Sequence, residues 1–280
     1  MFLVGPKGTN MMRRPTLAII AFLLAGNALT ACNTGTSRSA DTKTGTEMAG
    51  QWLAADYLRQ VAENHSIAHT SAPVYGWVAL SFSPELKDSV LAFNGFEEPD
   101  AIPFTREGDS LKLDLPSRVY IHKNLADSNT FMAVEYADGQ VFKEQYVKVD
   151  APLETPDATF DRELRKSLFG NRQYHLITQE GKPAAPGALP VVFKEDGIVT
   201  GLPGYASYQL CYAGDCIQTT DTSDIIFLTP VNSKEQPVAF LYNMSLDGNK
   251  MALYAQEVIN ANEKGSVRKG KLLYELSTQH

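Results

Sequence analysis

Leu111-Lys112-Leu113-Asp114-Leu115 places apolar and charged residues in strict alternation. Successive side chains of an extended chain point to opposite faces, so the three leucines share one face and Lys112 and Asp114 the other. This is the pattern of a half-buried β-strand. On either side of it, residues 74–82, 89–93, 118–122, 131–136 and 141–149 form further short runs rich in β-branched and aromatic side chains. Asn94-Gly95, Glu107-Gly108 and Asp138-Gly139 separate them, and their glycines accept the positive φ that tight turns between strands require. The expectation is an antiparallel meander.

Helical spacing intrudes twice. After Gly50-Gln51-Trp52, Tyr57, Leu58 and Val61 fall on one face of a helix expected over 56–63. Pro152 and Pro156 mark a connector at 150–159, after which Phe160, Leu164 and Leu168 recur at i, i+4 and i+8. Asp161 and Glu163 stand at the favourable N-terminal end of that helix, expected over 160–168. A second meander follows, with strands expected at 173–178, 190–194, 198–201, 207–212, 216–219, 224–228, 238–244, 250–256 and 271–276. Asp196-Gly197 and Asp247-Gly248 punctuate it. The fold class is therefore all-β, built of antiparallel, barrel-like meanders with short helices. The first meander, with its N-terminal helix, spans 47–150 and the second 159–280; the two form either one domain or two.

The beginning of the chain has a different character. Arg13-Arg14 precedes an apolar run of about 13 residues from Leu17 to Leu29, short for a membrane span and suited to the apolar core of a secretory signal. Leu29-Thr30-Ala31-Cys32 closes it. Residues 33–46, NTGTSRSADTKTGT, carry no large apolar side chain and read as a flexible tether with a coil dimension on the order of 20 Å. The formal net charge is −7, and Lys7, Arg13 and Arg14 are the only charges in residues 1–31, so the remainder is more acidic still. An acidic chain argues against nucleic acid as a partner and against an electrostatic grip on anionic lipid.

Leu29-Thr30-Ala31-Cys32 resembles the lipobox of bacterial lipoproteins. The resemblance implies a signal peptide over 1–31, cleavage before Cys32, lipid on that cysteine and a lipidated tether over 32–46. Several acyl chains give stable anchoring where one gives only marginal binding. No Asp follows Cys32, which by the same resemblance implies delivery to the outer membrane, facing the periplasm. In the second half, Tyr174-His175-Leu176, Gly181-Lys182-Pro183, Pro190-Val191-Val192-Phe193, Asp196-Gly197 and Gly201-Leu202-Pro203-Gly204 follow one another in an order similar to the META domain of bacterial envelope proteins. That family is a small, mostly β module without established catalytic residues. Tyr205-Ala206 stands where the family commonly has Cys-Asn. Gly50-Gln51-Trp52 is similar to the Gly-x-Trp that opens lipocalin-type barrels, which tend to place an Arg against the Trp.

Four constellations invite chemistry. Cys211 and Cys216 enclose Tyr212-Ala213-Gly214-Asp215; if Ala213-Gly214 is a two-residue hairpin loop, the two cysteines face each other within disulfide reach. An exported protein meets oxidising conditions, which favours the bridge over free thiols or a metal pair. Gly108-Asp109-Ser110-Leu111 spells the signature of GDSL hydrolases, but that family needs a strand-to-helix setting and a distant Asp-x-x-His pair, and the latter does not occur here. His65 and His69 have metal-ligand spacing, yet no third ligand is placed and the helix is expected to end before them, so both read as surface histidines. Tyr75, Trp77, Phe82, Phe93, Phe104 and Tyr120 either line a hollow barrel or fill a solid one.

The chain thus presents no catalytic residue, no cofactor and no metal site. Two function classes remain: a lipid-anchored module binding a small apolar molecule or lipid, or a structural or assembly partner of another envelope protein. A sizeable cavity favours the first, and a filled core beneath an exposed apolar patch the second. The junction at Cys32 predicts that Cys32→Ser leaves the protein unlipidated and moves it from the membrane to the soluble fraction. Unchanged partition into detergent would refute the anchor.

Overall fold

The computed structural model describes residues 48–95, 97–150, 154–212, 223–232, 234–259 and 266–279. Within them the chain is an antiparallel β protein with two short α-helices. Eight strands come first: β1 (Gly50–Ala54), β2 (Ala79–Phe82), β3 (Ser89–Phe93), β4 (Asp100–Glu107), β5 (Ser110–Leu113), β6 (Arg118–Lys123), β7 (Thr130–Ala137) and β8 (Gln140–Val149). Each pairs with the next, and β8 returns to β1 in the register Gln51↔Val149 to Ala54↔Tyr146, closing a barrel. Closure leaves no edge strand to template aggregation. The alternation at Leu111 does its expected work: Leu111 and Leu113 are buried, with Leu111 opposite Ile121 and Leu113 opposite Phe104. Asp138-Gly139 joins β7 to β8 with both φ angles positive, 51° and 74°.

The barrel is filled by its own side chains. Trp52, Phe131 and Tyr146 stack across it, with ring centroids 4.8 Å and 5.0 Å apart. Their polar handles are partnered, since Trp52 Nε1 donates to Met48 O at 2.9 Å and Tyr146 Oη to Trp77 O at 2.9 Å. On the same face of β8 as Tyr146, Glu144 is buried and accepts from Val74 N at 3.0 Å, and its burial raises the carboxyl above its ordinary range. Tyr75 Oη donates to Phe142 O. These three bonds hold the segment 74–77 across the barrel mouth. The strand expected over 74–82 is therefore only β2, because the backbone before it is bound by β8 side chains and carbonyls instead of by a neighbouring strand.

Helix α1 (Ala55–Asn64) continues straight from β1. Helix α2 (Pro156–Phe169) starts with Pro in its first turn, beside Asp157, and ends at Gly170, whose φ of 56° and N–H to Lys166 O terminate it. Phe160, Leu164, Leu168 and Phe169 are fully buried, and both neighbours of the helix contribute. One is the outside of the barrel, where Leu53, Ala79 and Phe93 face each other across β1, β2 and β3 and Phe93 meets Phe160 edge-on at 6.0 Å. The other is a second sheet and the hairpin attached to it, where Phe169 stacks on Phe193 of the hairpin at 4.8 Å and meets Tyr208 of the sheet edge-on at 5.5 Å.

That sheet contains β9 (His175–Gln179), β10 (Lys182–Pro183), β13 (Tyr205–Cys211), β14 (Asp224–Pro230), β15 (Val238–Met244), β16 (Lys250–Val258) and β17 (Val267–Ser277), in the order β10-β9-β17-β16-β15-β14-β13. A hairpin of β11 (Val192–Phe193) and β12 (Val199–Thr200) links its two ends through the bridges Tyr174↔Val191 and Ile198↔Ser207. The sheet curls strongly. Tyr205 on β13 reaches within 6.4 Å of Tyr274 on β17, although a flat sheet would hold those strands about 19 Å apart. Gly201 permits the hairpin to close, because a Cβ there would lie 2.1 Å from Pro190 O. The strand expected at 216–219 lies outside the described residues.

A single hydrophobic core runs from Trp52 through Phe160 to Leu276. Both tryptophans, Trp52 and Trp77, lie in the first half, so their fluorescence reports the barrel. Phe169→Ala, which removes a ring packed against the second sheet, should cost about 3–5 kcal/mol and shift the urea midpoint read by tryptophan fluorescence. A midpoint that stays put while circular dichroism shows the sheet destabilised would show that the barrel folds independently of α2.

Candidate functional site

A cavity of about 340 Å³ lies where α1, α2, the barrel and the second sheet converge. Tyr57 of α1, Phe160 of α2, Val78 before β2 and Tyr212 after β13 contribute to its apolar wall. The segment 67–76, which leaves α1, forms another side, and Asp224 at the start of β14 is the charged residue in its lining. Hollows of about 700 and 430 Å³ are grooves on the barrel exterior, around Arg118, Tyr136 and His122, and one of about 460 Å³ borders Phe93, Leu210 and Tyr212. Despite their size the first two are lined by residues of the barrel alone and lie more open to solvent.

Local sequence explains how the cavity stays open. Helix α1 ends at His65, which adopts the left-handed conformation (φ 48°) and turns the chain away from the helix axis. The turn that follows is held by its own polar side chains: Thr70 Oγ1 donates to Ser66 O at 2.7 Å and His69 N to Ser66 Oγ at 3.1 Å. Asp224 anchors this turn from the other half of the protein. Its Oδ1 accepts from Ile67 N at 2.8 Å and from Ala68 N at 2.7 Å. Two charge-assisted bonds from backbone N–H groups fix the strap to the sheet without filling the space between them.

The electrostatics follow from burial. Asp224 is 6% exposed. Its burial raises the carboxyl above the ordinary aspartate range, against the opposing pull of Ser66, the two N–H groups and the charge of His69. The Tyr57 hydroxyl is pushed up to about 12 by burial and by the charge of Asp224. Burial raises the Tyr212 hydroxyl as well. Among the described lining residues there is no lysine or arginine.

The residues singled out in the sequence are dispersed. Cys32 lies outside the described residues, as does Cys216. Cys211 ends β13 opposite Ile225 of β14 and borders the cavity. Ser110 of the Gly-Asp-Ser-Leu stretch follows a tight Gly108-Asp109 turn between β4 and β5, and its Oγ lies 2.8 Å from Nδ1 of His122, its cross-strand partner. The setting is strand to strand, so the nucleophile-bearing turn into a helix that the motif requires is not there.

The histidine pair needs correction. His65 is buried rather than on the surface, 3.5 Å from Arg172 Nη2, and burial and that guanidinium together lower its basicity. It was misread because His65 caps α1 in the left-handed conformation and its ring lies beside Arg172 at the end of α2, a partner 107 residues away in the chain. His69 is exposed, and among the described residues no group of three His, Cys, Asp or Glu could hold a metal. Of the six aromatics read as core or cavity lining, Phe82 and Phe93 are buried, the latter on the barrel's outer face against α2, while Tyr120 belongs to the exterior groove with His122. Asp224 escaped the sequence reading. An acid before the apolar run Ile225-Ile226-Phe227-Leu228 looks like an ordinary strand start, and its partners lie 156 and 157 residues away.

Asp224 offers a clean contrast between two substitutions. Asp224→Ala leaves the N–H groups of Ile67 and Ala68 without their acceptor and should cost about 1–3 kcal/mol. Asp224→Asn retains the acceptor and removes the buried charge, so it should be at least as stable as wild type at pH 7. Because the folded carboxyl is raised above its unfolded value, the charge weakens the fold only as pH rises above about 4. Wild type should therefore lose stability relative to Asn from there upward, read by urea unfolding across pH 4–8. Equal losses for Ala and Asn would show that the two backbone bonds carry no weight.

No family model, no curated protein and no solved structure matches this chain.

Proposed function

We propose that this chain is a non-enzymatic envelope lipoprotein, anchored in the outer membrane through Cys32 and facing the periplasm, whose folded part binds a small apolar molecule. The observation that carries the reading is the cavity bordered by Tyr57, Val78, Phe160 and Tyr212. Its volume of about 340 Å³ falls at the lower end of the range for small-molecule sites, and an apolar wall with a few convergent polar groups is what such sites have in common. The filled barrel directs binding to this seam, since Trp52, Phe131 and Tyr146 occupy the interior that a hollow barrel would offer. Lys148 Nζ, 5.6 Å from the centre of the Trp52 ring, takes the place of the arginine that the lipocalin resemblance implies. Within this reading the Cys211–Cys216 disulfide would stiffen the rim beside Tyr212, and the succession from Tyr174 to Gly204 supports a META-like second half.

The assembly-partner reading has one observation in its favour. Val74, Tyr136, Val141 and Phe142 are apolar side chains 37–53% exposed near the mouth of the barrel. Exposed apolar surface of this kind serves contacts between proteins.

The ligand reading predicts that an uncharged apolar fluorophore, N-phenyl-1-naphthylamine, gains fluorescence on the purified protein in a saturable manner. Ala68 lines the cavity and reaches Asp224 through its backbone N–H, so Ala68→Trp adds bulk at the lining and retains that donor. The variant should keep the wild-type unfolding midpoint and lose most of the saturable signal. An unchanged titration in Ala68→Trp would place the probe elsewhere and remove the support for this site.

A further inference from the structure

We infer that the cavity recognises an ammonium group carried on a small apolar body. This rests on the ligand-binding reading above and specifies its chemistry. Three aromatic side chains from three separate elements line the space: Tyr57 from α1, Phe160 from α2 and Tyr212 from the end of β13. Phe160 stands between the other two, with its ring centre 6.0 Å from Tyr57 and 5.2 Å from Tyr212. The Phe160 and Tyr212 planes cross at 85°, so the two rings make adjoining walls and not a stack that would close the gap. Aromatic faces carry negative quadrupoles, and several of them around one space hold a desolvated cation.

Asp224 adds a full negative charge at the same place. Its geometry leaves it able to take a ligand: Oδ1 accepts the N–H groups of Ile67 and Ala68, and Ser66 also bonds the carboxylate. A carboxylate offers about four acceptor positions, so one remains. The rest of the polar lining, Thr70, Asn94 and Ser223, is neutral, and none of the described lining residues is a lysine or arginine. An apolar anion such as a fatty acid would meet the Asp224 charge with no lysine or arginine among the described lining residues to offset it. A neutral apolar molecule would fit the wall but leave the carboxylate buried beside it. An ammonium on a short apolar body satisfies both, and about 340 Å³ suits a body the size of choline or ethanolamine with a short extension.

Such a group could arrive free or as the head of a phospholipid, and the test separates the two. The lipidated full chain in a nonionic detergent is titrated calorimetrically with choline and with 3,3-dimethyl-1-butanol, its uncharged carbon isostere. Choline should bind at least about tenfold more tightly than the isostere. Asp224→Asn, which retains the backbone bonds, and Tyr212→Leu should each shrink that ratio, with the fold of each variant checked by circular dichroism. Dihexanoyl-phosphatidylcholine binding more tightly than choline would identify a lipid head as the source, and weaker binding a free amine. Equal affinity for choline and the isostere, or binding of the isostere alone, overturns the ammonium inference and leaves the apolar-ligand reading standing. The same holds if neither binds while the naphthylamine still does. Loss of all three, the naphthylamine included, overturns the reading on which the inference rests.

Discussion

Helix α2 carries an apolar surface broader than any one neighbour can cover, and the architecture follows from burying it on two sides. Phe160 faces the outside of β1–β3, where Leu53, Ala79 and Phe93 line up across the strands, while Phe169 packs between Phe193 of the β11–β12 hairpin and Tyr208 of the second sheet. The outer face of a closed barrel ordinarily meets water and carries polar side chains. Here three strands present apolar residues outward as well as inward, because the helix takes the place of solvent. The barrel and the curled sheet consequently share one core instead of two.

The cavity is a by-product of this junction. Where α2 begins, Phe160 must serve α1, the barrel and the end of β13 together, and rings inclined to it by 38°, 64° and 85° do not close-pack the corner. Asp224 stabilises the turn after α1 at a distance from the sheet, so the corner cannot collapse. Interiors are normally packed to crystal density, and an opening of this size lined by rings and one carboxylate stands out by contrast.

The barrel's polar interior groups act in the same economical way. Glu144 and Tyr146, neighbours on one face of β8, each bind backbone of the segment 74–77 and draw it over the mouth. A buried carboxylate with one strong donor is costly on its own terms, yet here it positions a stretch of backbone that no strand pairs with. That same segment, with Pro73 and Gly76, continues into the wall of the cavity, so the mouth and the site are built from one piece of chain.

Much of this was legible in the sequence. Alternation at Leu111-Lys112-Leu113, the Asp-Gly turns and the i, i+4, i+8 stripe of α2 are local patterns with local causes, and they determined strand, turn and helix and thus the all-β class. The stripe even showed which side of α2 is buried, though not that two different neighbours bury it. Other features depended on partners distant in the chain. β1 and β4 escaped notice, since Gly50–Ala54 runs directly into a helix and Asp100–Glu107 is interrupted by Pro103 and mostly exposed. The closure of β8 on β1, the inward turn of His65 toward Arg172 and the capture of the strap by Asp224 join residues about 100 or more positions apart. Periodicity reports which face of an element is apolar. It does not report what covers that face, because the cover is chosen by packing among elements, and only the tertiary structure brings Tyr57, Phe160, Tyr212 and Asp224 around one space.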